Sequence, residues 1–495
     1  MVNPLSRQVL PSFLFQGLAT FSTYLVSLVL MPLVLKKAGP EVYGSFVLWS
    51  SLLTLGIALF TFGAGFQARR SLPALQFNED RERVFVSTAS FQLLVYGLGG
   101  AVIIALAPFV QFTLFHGVRE IGPFVILSTV GAFYLNSVSD DYFRYTHRIG
   151  TIAIVSILRS IGYPALVLLH ISIGGTLSVK NLFLAQAVST AGFSLCLWLI
   201  IAGEIRLRFR LDGIQHYLAD IRYGFPLIAA ILVENLLAVS DRYILGGYLS
   251  SAAVGVYASA TAVGSLLLIF PKVSSGILAP AMARAVDAGR QIEAESILHN
   301  TLMAFLVLGL PFVAGAAIMA RPLLGVLATP AIAAAGRWVV PLAATSTLIY
   351  GWNYITCNAL FVKKQTGLWL RVNALAASIS ICLNLILLYY FRHLEMASIV
   401  AIISNLSAVI FLHRAHSRDW PVRLDRPLLI KIGYSVIAMC VVLLFGSYAF
   451  GAAASALTLV LVLVPAGVLT YAISLRVSGV IGKTELQHLN AIFRG

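Results

Sequence analysis

The sequence predicts an all-helical protein that crosses a membrane many times. Of its 495 residues, 59% are hydrophobic and only 11% are charged, whereas about a quarter of the residues in a soluble domain are charged. The apolar runs have the length of about twenty residues that a transmembrane helix needs, and they lack the alternation typical of barrel strands. Because backbone amides in lipid must be satisfied within the chain, helices are the structure that remains.

Fourteen apolar segments are long enough to span a membrane. Their centres lie near Val26, Leu55, Ile103, Thr129, Tyr163, Leu195, Val233, Val263, Ala304, Ala344, Ile381, Ala401, Ala438 and Leu461. The first run, Phe13 to Leu35, is of spanning length and is not followed by a small-residue cleavage site. We therefore expect this run to remain as the first helix rather than to be removed as a signal peptide.

The basic residues predict the orientation of the chain. With the amino terminus in the cytoplasm, 25 of the 34 Lys and Arg residues fall in cytoplasmic segments, 7 fall on the other side, and the remaining 2, Arg159 and Arg242, lie within helices. This asymmetry follows the positive-inside rule and places both termini in the cytoplasm. The net charge of +15 is spread in short clusters between apolar runs, so it indicates membrane orientation and not nucleic-acid binding.

The sequence shows no catalytic or metal-binding pattern. The cysteines all lie in apolar runs without CxxC spacing, which is not typical of a metal site. The outer segments are short, and their acidic residues are Glu41, Glu120 and Glu395. The segment VSGVIGKT near the carboxyl terminus lacks the first glycine of a P-loop. We expect no enzyme, no metal and no bound cofactor.

An internal repeat divides the predicted helices. Superposing Gly44 on Gly255, an offset of 211 residues, aligns the segments Leu33 to Leu53 and Leu245 to Leu267, each with a helix end, a short turn and the next helix. The repeat predicts two parallel six-helix bundles, residues 1–212 and 213–420, followed by two additional helices in residues 421–495. Chance similarity between two apolar stretches is the alternative interpretation.

Four segments carry a resemblance to a known family. They read MPLVLKKAGPEVYGSFVLWSSL, SDRYILGGYLSSAAVGVYASATAV, PKVSSGILAPAMARA and NALAASISICLNLILLYYFRHLEMASIVAIISNL. With them, nearly the whole chain resembles the Wzx-type flippases of lipid-linked oligosaccharides, a branch of the multidrug/oligosaccharidyl-lipid/polysaccharide (MOP) exporter superfamily. The second segment is the most specific, because an Asp followed by a basic residue, a small apolar turn and a G-x-Y recurs in such proteins.

The resemblance implies a MATE-like fold with a cationic, hydrated cavity between two bundles, and transport by alternating access. It implies a bacterial cytoplasmic membrane protein that moves undecaprenyl-pyrophosphate-linked repeat units for O-antigen or exopolysaccharide synthesis, with a glycan polymerase and a chain-length protein as partners. The first helix departs from two relatives. It carries neither the acidic residue of many drug exporters nor the arginines of peptidoglycan-precursor flippases, so no residue role is carried over from either.

Arg159 is a candidate ligand for the pyrophosphate. It lies about 12 Å along its helix from Thr151 at 1.5 Å per residue, which is deep enough for its charge to be costly unless it is used or paired. Its guanidinium can bind a phosphate through two nitrogens. A structural role, in which Arg159 pairs with an acid or a carbonyl on a neighbouring helix, is the equal alternative.

The seventh predicted helix carries the densest polar stripe. Seven-residue spacing places Glu234 and Asp241 on one face, with Asn235 and Arg242 on the adjacent face. Glu234 is the candidate site for coupling to a proton or sodium gradient, and Asn235 and Arg242 are candidate substrate ligands. A structural bridge between helices is the favoured alternative for Asp241 and Arg242.

Arginines at the cytoplasmic ends of two helices are candidates for capturing the phosphate head group. These are Arg69 and Arg70 after the second segment, and Arg144 and Arg148 after the fourth, where Asp140 and Asp141 also lie. Topology signalling and contact with anionic membrane lipids are the favoured alternative roles, because basic residues beside membrane helices generally perform them.

Three functions compete at this stage. The leading hypothesis is a flippase for lipid-linked oligosaccharides. A cation-coupled exporter of small amphiphiles would use the same architecture. A membrane glycan polymerase or ligase would share the hydropathy, but such enzymes generally carry a large outer segment with catalytic residues, and this chain has none.

Overall fold

The computed structural model describes residues 4–61, 78–113, 121–146, 148–206, 208–210, 214–363, 365–416, 420, 425–450 and 454–480. Within these ranges the chain is helical apart from short turns and connections. The helices, numbered here in chain order, are α1 Pro4–Thr61, α2 Asn78–Thr113, α3 Pro123–Tyr145, α4 Ile149–Ser172, α5 Val179–Glu204, α6 Ile214–Tyr248, α7 Ser251–Ser265, α8 Ile269–Asp287, α9 Gln291–Leu327, α10 Pro330–Ala335, α11 Val339–Thr356, α12 Asn358–Val362, α13 Thr366–Phe391, α14 Leu394–His416, α15 Arg426–Phe450 and α16 Ala456–Val477.

The predicted all-α, polytopic membrane fold is confirmed. Each of the fourteen predicted centres falls inside one of these helices. The first two share α1, which bends at Gly39, where the backbone takes the left-handed φ of 85° that glycine tolerates without strain. Among the described residues, nine helical stretches meet both the length and the hydropathy expected of a membrane span.

Contacts between helices group the chain into two compact units. The first comprises Met1–Ala258 and Gln365–Val400, and the second comprises Ser259–Lys364 and Ala401–Gly495. In the first unit, α1 packs on α4 and α6, α3 packs on α5, and α6 packs on α13; in the second, α9 packs on α11, α15 and α16. These units do not end at residues 212 and 420, so the division into two bundles and a carboxyl-terminal pair stays a prediction.

The apolar residues of the segment from Pro271 to Asn300 are spaced as on an amphipathic helix. This segment is largely helical. It forms α8 and the first turns of α9. Leu278 and Met282 of α8 are buried and share one core with Leu298 and Leu302 of α9. Part of the apolar face of this segment is therefore covered by protein.

The part of α1 that follows Gly39 and the start of α7 approach each other with their backbones in contact. A Cβ atom on Gly44 would lie 2.8 Å from the amide nitrogen of Gly255, and a Cβ atom on Gly255 would lie 3.2 Å from the amide nitrogen of Gly44. Each would also overlap a carbonyl oxygen of the other helix, that of Ser251 or Pro40 respectively. We call this contact the Gly44–Gly255 crossing. It has no room for any side chain on either glycine.

The crossing is reciprocal under the offset of 211 residues found in the sequence. Gly44 corresponds to Gly255, and Pro40 corresponds to Ser251. Gly44 lies against the carbonyl of Ser251, and Gly255 lies against the carbonyl of Pro40. Two segments related by a two-fold axis make such a contact where the axis passes between them. The parallel repeat of six helices itself stays a prediction.

We expect Gly44→Val to lower the midpoint of thermal unfolding by several degrees, because overpacking costs about 1–3 kcal/mol and the obstructing atoms here are backbone. Unfolding of the purified protein in detergent, followed by intrinsic fluorescence, measures the change. Gly97→Val is the matched control, since a Cβ atom at Gly97 of α2 meets nothing within 4 Å. Equal midpoints for the two variants would contradict the close crossing.

Candidate functional site

Asp241 of α6 is held by hydrogen bonds just inside the Gly44–Gly255 crossing. The hydroxyl of Tyr257 in α7 donates to Oδ2 of Asp241 at 2.6 Å, and the backbone N–H of Arg242 donates to Oδ1 at 2.8 Å. Nη1 of Arg242 donates in turn to Oγ of Ser51 in α1 at 3.3 Å. We call these four residues the Asp241 cluster. It joins α1, α6 and α7.

The cluster and the crossing share two helices, α1 and α7. Tyr257 lies two residues beyond Gly255, and Ser51 lies seven residues, or about 10 Å, beyond Gly44. The geometry places Asp241 in a bridge between helices, which is the structural alternative weighed from the sequence. Through its hydrogen bond to Ser51, the Arg242 side chain contacts α1.

The other two residues of the predicted stripe lie about two helical turns from this cluster. Glu234 is half-buried and lies about 10 Å along the helix axis from Asp241. Asn235 is also half-buried, and its Nδ2 donates to the carbonyl of Ile231 one turn earlier at 2.8 Å. Glu234 and Asn235 therefore lie two helical turns from Asp241 and Arg242, as their seven-residue spacing requires, and the predicted roles of these residues stay predictions.

Arg159 of α4 lies beside an acidic residue of α3. Its Nη2 is 3.6 Å from Oδ2 of Asp140 and donates to Oγ of Ser156 at 2.8 Å. The two charged side chains are only 13% and 19% exposed. Within the described part of the chain, both contacts of the guanidinium use Nη2, which leaves Nε and Nη1 as donors for an oxyanion.

Asp140 holds Arg159 loosely. The single contact of 3.6 Å is long for a charge-assisted hydrogen bond, which is about 2.7–2.9 Å. Oδ1 of Asp140 is buried and accepts no hydrogen bond from the residues that the structure describes. A pair of this kind neutralises the charge of the arginine in the apolar interior without using all of its hydrogen-bond donors.

Arg159 belongs to a polar stripe that the sequence analysis missed. Ser156, Arg159, Ser160 and Tyr163 recur at the i, i+3, i+4, i+7 spacing that places residues on one helix face. The hydroxyl of Ser22 in α1 donates to Ser160 at 3.3 Å. This α4 polar stripe could have been found by searching for polar residues, and not only charged ones, at helical spacing.

The predicted head-group arginines have different environments. Arg144 is exposed at the end of α3. Arg148 forms an ion pair with Glu204 at the end of α5, whose other carboxylate oxygen accepts a hydrogen bond of 2.7 Å from the hydroxyl of Tyr142. Glu204 thus joins the end of α5 to Tyr142 of α3 and to Arg148 at the start of α4, contacts that the sequence did not predict. Arg69 and Arg70 lie outside the described residues.

Sequence comparison identifies the family. The profile of the family described as "Polysaccharide biosynthesis protein" matches residues 38–331, which is more than half of the chain. The chain belongs to the polysaccharide biosynthesis protein family. This match confirms the resemblance to polysaccharide flippases that the four sequence segments indicated.

One curated relative is named for transport. The chain is 22% identical over 202 residues to a probable low-salt glycan biosynthesis flippase, Agl15, of Haloferax volcanii. The match covers 41% of this chain and 41% of that protein, so the chain spans about two fifths of the length of the relative it matches.

Two solved structures share the fold. A lipid II flippase, MurJ, in an inward closed conformation matches with a TM-score of 0.76 and 15% identity over 94% of this chain and 98% of that one. An inward-facing multidrug resistance MATE family transporter of the MOP superfamily matches with a TM-score of 0.63 and 14% identity, over 81% and 94%. The likeness shows that this chain shares the fold of these two structures.

The comparisons agree with the expectation that this polysaccharide biosynthesis protein is not an enzyme. The named relative is a flippase, and the matched structures are those of a flippase and of a multidrug transporter. Among the described residues, no group of three or more His, Cys, Asp or Glu side chains is placed to hold a metal ion.

We expect Arg159→Ala to lower the thermal stability of the protein more than the double substitution Asp140→Asn/Arg159→Ala does. The single substitution strands the Asp140 carboxylate in an apolar interior, and breaking a buried pair costs about 3–5 kcal/mol. The double variant removes both charges. Unfolding midpoints in detergent measure the difference, with Arg337→Ala as a control at an exposed arginine. A double variant as unstable as the single one would contradict the pairing.

Proposed function

We propose that this protein is a flippase that moves undecaprenyl-pyrophosphate-linked oligosaccharide repeat units across the bacterial cytoplasmic membrane for surface polysaccharide synthesis. The observation that carries the proposal is the family match over residues 38–331 on a MOP transporter fold. The curated flippase relative supports a lipid-linked glycan as the substrate class. A glycan polymerase and a chain-length protein are the proposed partners.

Arg159 is the proposed contact for the pyrophosphate. It lies ten residues, or about 15 Å, from the start of α4, and its partner Asp140 engages it through one long contact. A pyrophosphate offers several charged oxygens to the planar guanidinium, and a bidentate Arg–phosphate pair is stronger than the contact it would replace. Arg159 would exchange its contact with Asp140 for a contact with the pyrophosphate. Its charge would thus be neutralised both while the substrate is bound and after the substrate has left.

The Gly44–Gly255 crossing is the proposed outer gate. The charge asymmetry of the sequence predicts that the α1 bend and the α6–α7 turn lie on the outer side. The crossing and the Asp241 cluster would close that side by backbone contact and by hydrogen bonds between three helices. Alternating access requires this contact to part and reform in each cycle, because the same site must open to each side in turn.

Cation-coupled export of small amphiphiles is the second candidate function. The observation that favours it is the half-buried acid Glu234 in α6, since an ionisable residue inside a membrane span marks ion pathways in many transporters. The same residue is the proposed H⁺ or Na⁺ coupling site if the substrate is a lipid-linked glycan.

In cells that lack the gene, we expect wild-type protein to restore surface glycan, Arg159→Ala to abolish the restoration, and Arg159→Lys to restore it only partly. Lysine keeps the charge but lacks the fork that binds two phosphate oxygens. Surface glycan is measured by immunoblot, together with the lipid-linked repeat units that accumulate inside. Equal amounts of each variant in the membrane are the control for folding.

Two results in the same cells would decide between the candidate functions. Full surface glycan in the deletion strain would exclude the flippase proposal. Altered drug susceptibility without a change in glycan would favour the exporter, and Glu234→Gln should then abolish the drug phenotype.

A further inference from the structure

Basic and apolar residues alternate in the chain directly after α5. Residues 205–211 read IRLRFRL, so that Arg206, Arg208 and Arg210 are separated by single apolar residues. In a helix, Arg208 would lie on the opposite side from the other two arginines. In an extended segment, alternate side chains share one face. The alternation therefore favours an extended segment with its arginines on one face.

The structure places this segment along α2. Ile205, which follows α5, has the extended dihedral angles φ −135° and ψ 152°, and Arg206 and residues 208–210 lie outside any helix. The backbone N–H of Arg206 donates to Oε1 of Glu82 at 3.0 Å. The backbone N–H of Arg210 donates to Oγ of Ser90 at 3.1 Å. Two backbone hydrogen bonds thus fix the segment to positions of α2 that are about 12 Å apart along its axis.

The side chains of Arg206 and Arg208 are available to a ligand. Both residues are exposed, and within the part of the chain that the structure describes neither side chain has a hydrogen bond or an ion pair. The nearby acids have other partners. Glu82 accepts the backbone N–H of Arg206, and Glu204 forms its ion pair with Arg148. Two cations on one face without acidic partners are complementary to an anion.

The segment lies at the level where the hydrocarbon layer begins. The apolar span of α2 is Glu82–Phe109, which has 28 residues and is therefore about 42 Å long. The hydrocarbon layer is about 30 Å thick. A span centred in this layer leaves Glu82 about 6 Å outside it and Ser90 about 6 Å inside it. Arg206, which is bound to Glu82, then lies among the lipid head groups, on the side predicted to be cytoplasmic.

Phe209 favours a ligand that is itself part of the membrane. Its side chain is 60% exposed, although it is aromatic and lies beside Arg208. Exposed aromatic residues at the membrane interface anchor a segment among the lipids. The arginines of such a segment meet the phosphate groups of lipids more readily than those of soluble anions.

We propose that Arg206 and Arg208 form a cytoplasmic loading site for the diphosphate of the transported lipid. This inference rests on the proposed flippase function and adds to it a binding site apart from Arg159. Residues two apart in an extended segment are separated by about 6.6–6.8 Å, so that each arginine can bind one of the two phosphate groups through two nitrogens. A phospholipid with a single phosphate can engage only one of them in this way.

Binding of undecaprenyl pyrophosphate to the full-length protein in nanodiscs of phosphatidylcholine tests the proposal. The Asp140→Asn/Arg159→Ala variant is the background, because it lacks the proposed contact in the transport route. We expect this background to bind the lipid. Adding Arg206→Gln/Arg208→Gln should weaken the binding about tenfold, since hydrogen bonds to charged phosphate groups are lost.

Two further variants of the same background serve as controls. Arg426→Gln/Arg476→Gln removes the same charge from exposed arginines at the predicted cytoplasmic ends of α15 and α16, and it should leave binding unchanged. Arg206→Lys/Arg208→Lys should retain part of the affinity, because lysine keeps the charge but lacks the fork of arginine.

The possible outcomes separate this inference from the function on which it rests. If the wild type binds the lipid, equal binding by the background with and without Arg206→Gln/Arg208→Gln would overturn the loading site alone. So would absence of binding in the background, or displacement of the bound lipid by an equal amount of phosphatidylglycerol. Absence of binding by the wild type would contradict the proposed function and the loading site together.

Discussion

Two helices can lie with their backbones in contact only where neither carries a side chain at the point of closest approach. In this protein that condition is met by Gly44 of α1 and Gly255 of α7, each of which abuts a carbonyl of the other helix. The close approach brings Ser51 and Tyr257 alongside α6, where they bind Arg242 and Asp241. The hydrogen bonds of the Asp241 cluster therefore depend on the absence of two Cβ atoms.

The charged residues of the described spans show two arrangements with different consequences. Asp241 uses both carboxylate oxygens in hydrogen bonds of 2.8 Å or less, within a network that joins three helices. Arg159 has one contact of 3.6 Å with Asp140 and one hydrogen bond to Ser156. The first arrangement is suited to holding helices together. The second keeps a cation neutralised and still able to bind a stronger anionic partner, which the proposed transport of a pyrophosphate-linked lipid would require.

Hydropathy was sufficient to predict the helices of the fold. All fourteen predicted centres lie in helices because the bilayer fixes both the length and the composition of a span. The alignment of Gly44 with Gly255 named two residues that prove to touch. The hydropathy of each span is local in the sequence, whereas the glycine alignment compares segments 211 residues apart.

Side-chain partnerships could not be predicted in the same way. The sequence placed Asp140 with the cytoplasmic arginines, whereas the antiparallel packing of α3 and α4 brings it to Arg159. Glu204 reaches Tyr142 and Arg148 across 56 residues or more, and its partners depend on how α5 packs against α3. The segment after Pro271 has an amphipathic pattern that suits a lipid surface and a protein surface equally, and it is covered by α9.

The transport account rests on the parting of the Gly44–Gly255 crossing, and a reversible cross-link tests it most directly. Glu41→Cys and Ser250→Cys place thiols at two exposed positions beside the crossing, in a protein whose four native cysteines, Cys196, Cys357, Cys382 and Cys440, are replaced by alanine. A short bifunctional thiol reagent with a cleavable disulfide joins them in vesicles that carry lipid-linked oligosaccharide. We predict that joining the two thiols stops translocation of the oligosaccharide and that reduction restores it. Translocation at an undiminished rate in the cross-linked protein would contradict the account.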